Sequence, residues 1–454
     1  MLVLKNQKLR TEIWQISWPA MVEMIMYMIV GIVDVAIVGR LGAAPLAAVG
    51  LGAEIFFSIV LLFEALSTGS SVLIAQARGA KNYEQIASII LHTVIMAIIT
   101  GTITGIIGLN LATQIIELFS VEKSVHDQAL HYLLITFKIT PFAVTLYMLH
   151  SIFRGLGRTD IPMKISLVMN IFNAIGDYIL VYGKLGLPAL GVAGAAYATS
   201  FSHILGVILA FYFFKINRKS FFPYKETKKT IKITVFRDIL TLGIPSLGEN
   251  FFWSLSNIIS IFLIVHAGTL AYASHQLAVV IESISFMPGF GIAVAASVLV
   301  GHSIGAKDRN MTKKYARGTI EFAVIIMGFF GLLFALLPHQ IVSLFTNDQE
   351  IIGVAGTLIR IASLEQITMA SSMVMGGILR GSGNTRTPML IITLFTWGFR
   401  LPLTYFLIIV LHKPVTYVWI AFVIDWTLRT LVYSAIILRQ NWLNKALEKQ
   451  ANKI

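Results

Sequence analysis

Twelve long apolar stretches constrain this 454-residue chain more than any motif does. They fall near residues 14–37, 46–75, 87–110, 129–151, 163–183, 190–214, 239–266, 272–300, 318–338, 352–378, 388–411 and 415–438. A helix needs about 20 mostly apolar residues to cross the hydrocarbon of a bilayer. Lipid offers no partner to backbone N–H and C=O groups, so each stretch is expected to pair its own backbone as a helix. The composition agrees: 56% of residues are hydrophobic and only 13% charged, where a soluble domain carries roughly 25% charge. A transmembrane barrel does not fit, because barrel strands alternate and raise hydropathy only weakly. The expected fold class is an all-α polytopic membrane protein of twelve transmembrane helices.

Formal net charge is +13, and its placement matters more than its size. With the N-terminus taken as cytoplasmic, inside segments hold 27 Lys and Arg, whereas outside loops hold only Arg40, Lys123, Lys184 and Lys413. This is a strong positive-inside bias and places both termini in the cytoplasm. The charge then serves anionic lipid, and nucleic acid is not an expected partner. The N-terminal MLVLKNQKLR runs straight into a full-length span, so no cleavable signal is expected. The longest polar segment, 215–237, holds eight of the inside charges and reads as a cytoplasmic linker between a lobe at 1–214 and a lobe at 238–454.

The two lobes repeat. SIFRGLGRTDIPM (151–163) is similar to GILRGSGNTRTPM (377–389), an offset of 226. The same offset pairs Gly79-Ala80-Lys81 with Gly305-Ala306-Lys307, Leu118-Phe119 with Leu344-Phe345, Pro19 with Pro245 and Glu23 with Glu249. Six spans per repeat is an even number, so both copies enter from the same side. That implies a parallel repeat, two six-helix bundles related by a pseudo-two-fold along the membrane normal and enclosing a cleft. The RG-x-G-x-T-x-x-P segment reads as a structural corner: glycine permits positive φ, and proline tolerates the start of a helix.

Ionisable groups inside spans are expensive and mark candidate sites. Asp34 lies near the outer end of the first span. Asn173 and Asp177 are four residues apart in the fifth and share a face. Thr199 sits among small residues in GVAGAAYATS. These oxygens suit Na⁺, or alternatively a proton held between paired acids. By the repeat, Asp34 maps on Ser260 and Asp177 on Leu403, so the lobes are chemically unequal, and coupling ions are expected in the first. Asp425 and Arg429 are expected to pair within the twelfth span. Lys138, Arg360 and Arg400 also lie within spans, with no partner readable for Lys138.

The chain resembles the multidrug and toxic compound extrusion (MATE) family over essentially all twelve spans. The resemblance rests on SWPAMVEMIMYMIVGIVDVAIVGRLG, PLAAVG, IAQARGAKN, FRGLGRTDIPM, NIFNAIGDYILVYG, LGVAGAAYAT, ASHQLA, MPGFGIAVAASVLVGHSIGAK and LRGSGNTRTPM. It implies export of bulky, often cationic or aromatic compounds from the cell by H⁺ or Na⁺ antiport through alternating access, with no cofactor beyond the coupling ion. The family's cation site falls on Asp34, Asn173, Asp177 and Thr199, and its first-helix bend on Pro19. There are departures. About four extra residues lie in KLGLPAL, and Met369 stands where one branch has an acid in the tenth span, with Glu365 a turn away. Glu249, Glu282 and Met287 are candidates for the substrate cavity. A monomer in the cell membrane, with small-molecule and lipid partners, is expected.

A flippase for a lipid-linked oligosaccharide is the competing reading. It would want a cationic cavity for pyrophosphate, whereas these spans offer acids. Neither HExxH nor GxSxG occurs, and GxxxxGK[ST] is absent too, so an enzyme or direct ATP coupling is not expected. With no cysteine, thiolate chemistry is impossible.

Overall fold

The computed structural model describes residues 6–221 and 231–451, except the side chain of Ser220. Residues 222–230, the middle of the basic segment expected as a linker, lie outside the described residues. The described chain is helical throughout, with eleven helical spans long and apolar enough to cross a membrane and a bent pair that makes the twelfth.

In the first half the elements are α1 (Gln7–Val38), α2 (Ala43–Leu66), α3 (Thr68–Gly79), α4 (Tyr83–Glu117), α5 (Lys123–Lys138), α6 (Thr140–Gly155), α7 (Asp160–Tyr182), α8 (Val192–Ile216) and the short α9 (Arg218–Phe221). The second half has α10 (Ile233–Val265), α11 (Thr269–Gly305), α12 (Arg309–Leu336), α13 (Pro338–Ser343), α14 (Gln349–Gly381), α15 (Arg386–Phe395), α16 (Leu401–Tyr405), α17 (Val415–Arg439) and α18 (Asn441–Ala451). The repeat is written into these boundaries. Gln7 and Ile233, Ala43 and Thr269, Tyr83 and Arg309, Lys123 and Gln349, and Asp160 and Arg386 all begin helices at the one offset of 226. It fails only at the last span, where the Gly183–Gly191 loop is longer than its counterpart after Val410, as KLGLPAL leads one to expect.

Departures from the repeat have local causes. The fourth span breaks at Ile139 with a 58° bend between α5 and α6. Pro141 cannot donate a backbone hydrogen bond there. Its repeat mate is Ile367, and α14 runs unbroken. The second span is interrupted at Ser67, whose hydroxyl donates to Glu64 O at 2.6 Å. The eleventh relaxes into wide turns at Thr396–Arg400 and Phe406–Val410. By contrast, α1 is continuous helix through the buried Pro19.

Two compact units form, and they do not follow the midpoint of the chain. One takes residues up to Val22, Gly79–Lys81 and Ile244 onward; the other takes Glu23–Arg78 and Asn82–Gly243. The boundaries after Val22 and after Gly243 fall near a helix proline, Pro19 or Pro245. Within the first unit, Leu9 and Ile13 join a core with Ile292, Ala296 and Phe322. The Tyr315 hydroxyl donates to Glu12 Oε2 at 2.8 Å. Within the second, the start of α10 is held by His92, whose ring packs 4.6 Å from that of Phe236. Outward faces are apolar: Ile99, Ile103, Ile106 and Leu111 of α4 are about half exposed, while Thr93, Ala97, Thr104 and Ala112 are buried. That inversion suits a helix solvated by lipid.

The RG-x-G corner is a helix stop used twice. After α6, Gly157 takes φ +75°, its N–H donates to Arg154 O at 2.8 Å, and Arg158 N–H donates to Phe153 O at 2.9 Å. After α14, Gly383 takes φ +82°, with its own bond to Arg380 O at 2.9 Å. This left-handed cap satisfies terminal carbonyls and favours glycine. The preceding glycine has a different task. A Cβ on Gly155 would lie 2.6 Å from Ser71 O, and one on Gly381 would strike Ser297 O, the repeat mate of Ser71. We therefore expect Gly155→Val to lower the melting temperature of the purified protein, at a cost of about 1–3 kcal/mol or more. Gly328→Ala, which meets open space, should leave it unchanged or raise it. Equal melting temperatures would refute the packing argument.

Candidate functional site

One face of α1 presents Glu23, Tyr27, Val30 and Asp34, spaced as helical neighbours. Helix α7 holds this face in register at two points. The Asn170 side chain donates to Met26 O at 2.8 Å, and the Tyr182 hydroxyl donates to Ile37 O. The same helix carries Asn173 and Asp177 one turn apart on its buried side. Asp34 is thereby set close to Asp177. Asp34 is 5% exposed and Asp177 is fully buried.

Helix α8 closes the cluster. Asn173 Nδ2 donates to Thr199 Oγ1 at 3.4 Å, and the Tyr132 hydroxyl of α5 lies near the same threonine. All four residues expected from the sequence are thus brought together. Asp34 Oδ1, both Asp177 oxygens, Asn173 Oδ1 and the Tyr132 hydroxyl have no hydrogen-bond partner. Buried oxygens left bare cost free energy, and two facing carboxylates repel. No Lys or Arg side chain pairs with Asp34 or Asp177 among the described residues. Such a cluster has the chemistry to hold one small cation or a shared proton. Among the described residues no three His, Cys, Asp or Glu side chains are grouped so as to hold a metal ion.

A cavity opens beside the cluster, lined by Tyr27, Asp34, Tyr147, His150, Asn173, Thr199 and His203 among others. At its other end lies a charge network that the sequence reading missed. Arg154 of the first RG corner donates to Glu23 Oε1 at 3.1 Å and to Glu64 Oε1 at 2.7 Å. In the second half Arg380 donates to Glu249 at 2.9 Å. Each glutamate precedes its arginine by 131 residues. The repeat alignment already contained both pairs; what it lacked was the knowledge that the first helix of a half meets its own corner. Glu249, a candidate for the substrate cavity, is therefore neutralised by Arg380.

The remaining candidates group in the second half. Glu282 of α11 and Glu365 of α14 lie close to each other, which makes Glu365 more than a near miss for the Met369 position. Met287 is half-buried, one helix turn from Ser283. Asp425 accepts from Arg429 Nε at 2.9 Å, as expected, and also from Arg400 Nε at 2.8 Å. Arg400 further lies 4.4 Å over the Phe422 ring. So the second half is not free of buried acids: its pair stands at other positions, with Arg400 close to it. Lys138 is exposed at the α5–α6 break.

Twelve apolar spans in two repeated six-helix halves, with an acid pair sunk in the first, define a polytopic helical transporter. Comparison with known proteins gives the family. The MatE family model matches residues 19–179 and again 245–406, once per half. The chain is 31% identical over 450 residues to a protein of Thermotoga maritima named probable multidrug resistance protein NorM, covering 97% of this chain and 94% of that one. It also superposes on a crystal structure of MATE in the bent conformation, with TM-score 0.89 at 22% identity, covering 99% and 98% of the two chains. An outward-facing MATE family transporter of the MOP superfamily matches with TM-score 0.86 at 23% identity, over 93% and 94%. This protein belongs to the MATE family of membrane transporters.

Removing Arg154 would leave Glu23 charged and buried. Arg154→Met should cost about 3–5 kcal/mol of stability, and Glu23→Gln added to it should recover part of the loss. Melting of the single and double variants checks this; additive losses would show that the two side chains do not interact.

Proposed function

We propose that this protein exports bulky, often cationic or aromatic compounds from the cell by antiport against H⁺ or Na⁺, with the coupling ion held by Asp34, Asn173, Asp177 and Thr199. The observation that carries the reading is the buried pair Asp34–Asp177 with its bare oxygens. A cation or a proton entering from outside relieves the repulsion between them and supplies the missing partners. Its arrival alters how Asp34 is held and so shifts α1 against α7, with Pro19 as the weak point of α1. Alternating access follows: ion binding drives substrate outward, and ion release inward readies the carrier for another substrate. Each 100 mV acting on one transferred charge contributes about 2.3 kcal/mol.

The names of related proteins support drug efflux, since the Thermotoga maritima relative and one from Bacillus subtilis, 27% identical, are both called probable multidrug resistance proteins. The positive-inside bias supports a cell-membrane protein with cytoplasmic termini. A complete ion cluster within one chain supports function as a monomer.

Reconstituted liposomes with pH and Na⁺ gradients imposed separately test the reading. Asp34→Asn and Asp177→Asn should reduce efflux to the protein-free background with folding retained, whereas Met369→Ala should transport normally. Efflux by Asp34→Asn on either gradient would sink the assignment.

A further inference from the structure

The cavity beside the acid pair has a second chemically active end. His150 of α6 is 1% exposed, and its Nδ1 lies 3.3 Å from Glu23 Oε1. The Tyr27 hydroxyl donates to the same oxygen at 3.1 Å. Both ring nitrogens of His150 and Glu23 Oε2 are buried and make no hydrogen bond. The ring lines the cavity that also touches Asp34, Asn173 and Thr199.

The groups facing His150 can be gathered from each packed element. Helix α1 supplies Glu23 and Tyr27, α2 supplies Glu64 through Arg154, and α6 itself supplies Tyr147 and Arg154. Helix α8 supplies His203, whose Nδ1 is engaged by Thr199 O at 2.8 Å. Two glutamates against one arginine leave this buried cluster one negative charge in excess. A proton on the imidazole makes it neutral.

We propose that His150 and Glu23 form a second proton-binding site, through which protons pass between the Asp34–Asp177 pair and the end of the lobe that carries the Arg154 corner. This rests on the coupling role given to the acid pair above. The steps balance as simple proton transfers. A proton leaving the carboxyl pair is accepted at His150 Nε2. The imidazolium then gives its Nδ1 proton to Glu23 Oε1, and the ring is left neutral. Glu23 and Asp34 are eleven residues apart, about 16 Å of helix, so the first transfer runs along the cavity and not by direct contact. Glu23 then releases the proton to water at the corner end. Arg154 is the positioning residue: it holds Glu23 in place, and its ion pair with the carboxylate is restored when the proton leaves.

The second half has no equivalent, since His150 maps on Gly376 and Tyr27 on Trp253. The repeated ion pair is thus a shared fastening, and the histidine converts only the first copy into a proton site.

The test uses the full protein in liposomes with a trapped pH dye and ethidium as the transported probe. Wild type should couple proton flux to ethidium efflux with a measurable pH dependence. His150→Gln should lower that flux about tenfold or more and flatten its pH profile, with ethidium binding and melting temperature near wild type; Glu23→Gln should lower the flux likewise, at a reduced melting temperature. Wild-type flux and profile in His150→Gln overturn the relay; an inert Asp34→Asn in the same assay leaves the coupling site standing. Active, proton-coupled Asp34→Asn overturns both. Efflux driven by Na⁺ alone, with no proton flux in wild type, overturns the relay and leaves antiport intact. Should His150→Gln fail to fold, Glu23→Gln and Tyr27→Phe decide, and normal flux in both overturns it.

Discussion

A carboxylate held in each half against the arginine of its own RG corner is the interaction on which the arrangement depends. Glu23 with Arg154, and Glu249 with Arg380, tie the first helix of a half to the end of its fourth span. In a low-dielectric interior either charge alone would be costly, so the pair fixes which faces meet. The corner glycines complete the joint. One stops the helix in a left-handed cap, and the other lets the backbone approach the second span. Everything placed further along α1, Asp34 included, inherits its register from this joint.

On that common frame the halves diverge by substitution, not by architecture. The first retains Asp34 and Asp177, face to face with no basic partner; the second has Ser260 and Leu403 there. Glu282 and Glu365 form a separate buried pair in the second half, close to Arg400 and next to the Asp425–Arg429 pair. A guanidinium lies near the second pair, whereas among the described residues no Lys or Arg pairs with the first. That contrast, more than the mere count of acids, separates the lobes.

Much of this was legible in the chain. Twelve spans, the single offset of 226 and the i,i+4 placement of Asn173 and Asp177 are local or periodic properties, and the helices begin where the repeat requires. The four-oxygen cluster was legible through resemblance to a known family together with its intramembrane charges. Breaks were less so. Pro141 carries a clear signal for the α5–α6 bend, but Ser67 does not. Glu365 was a poor candidate on spacing because spacing is measured along α14, whereas its partner Glu282 comes from α11. His150 and Glu64 gave no signal at all, since each is an isolated polar residue in an apolar run.

Sequence by itself determined the class of fold, because bilayer thickness and the need to pair backbone groups in lipid translate directly into lengths of apolar helix. It also determined the duplication and the loss of two carboxylates from the second copy. Only the tertiary structure decided which polar side chains share a chamber. Glu23 and Arg154 are 131 residues apart and Asp34 and Asp177 lie on different helices; whether such groups meet depends on helix rotation and close packing, which no periodicity along one segment encodes.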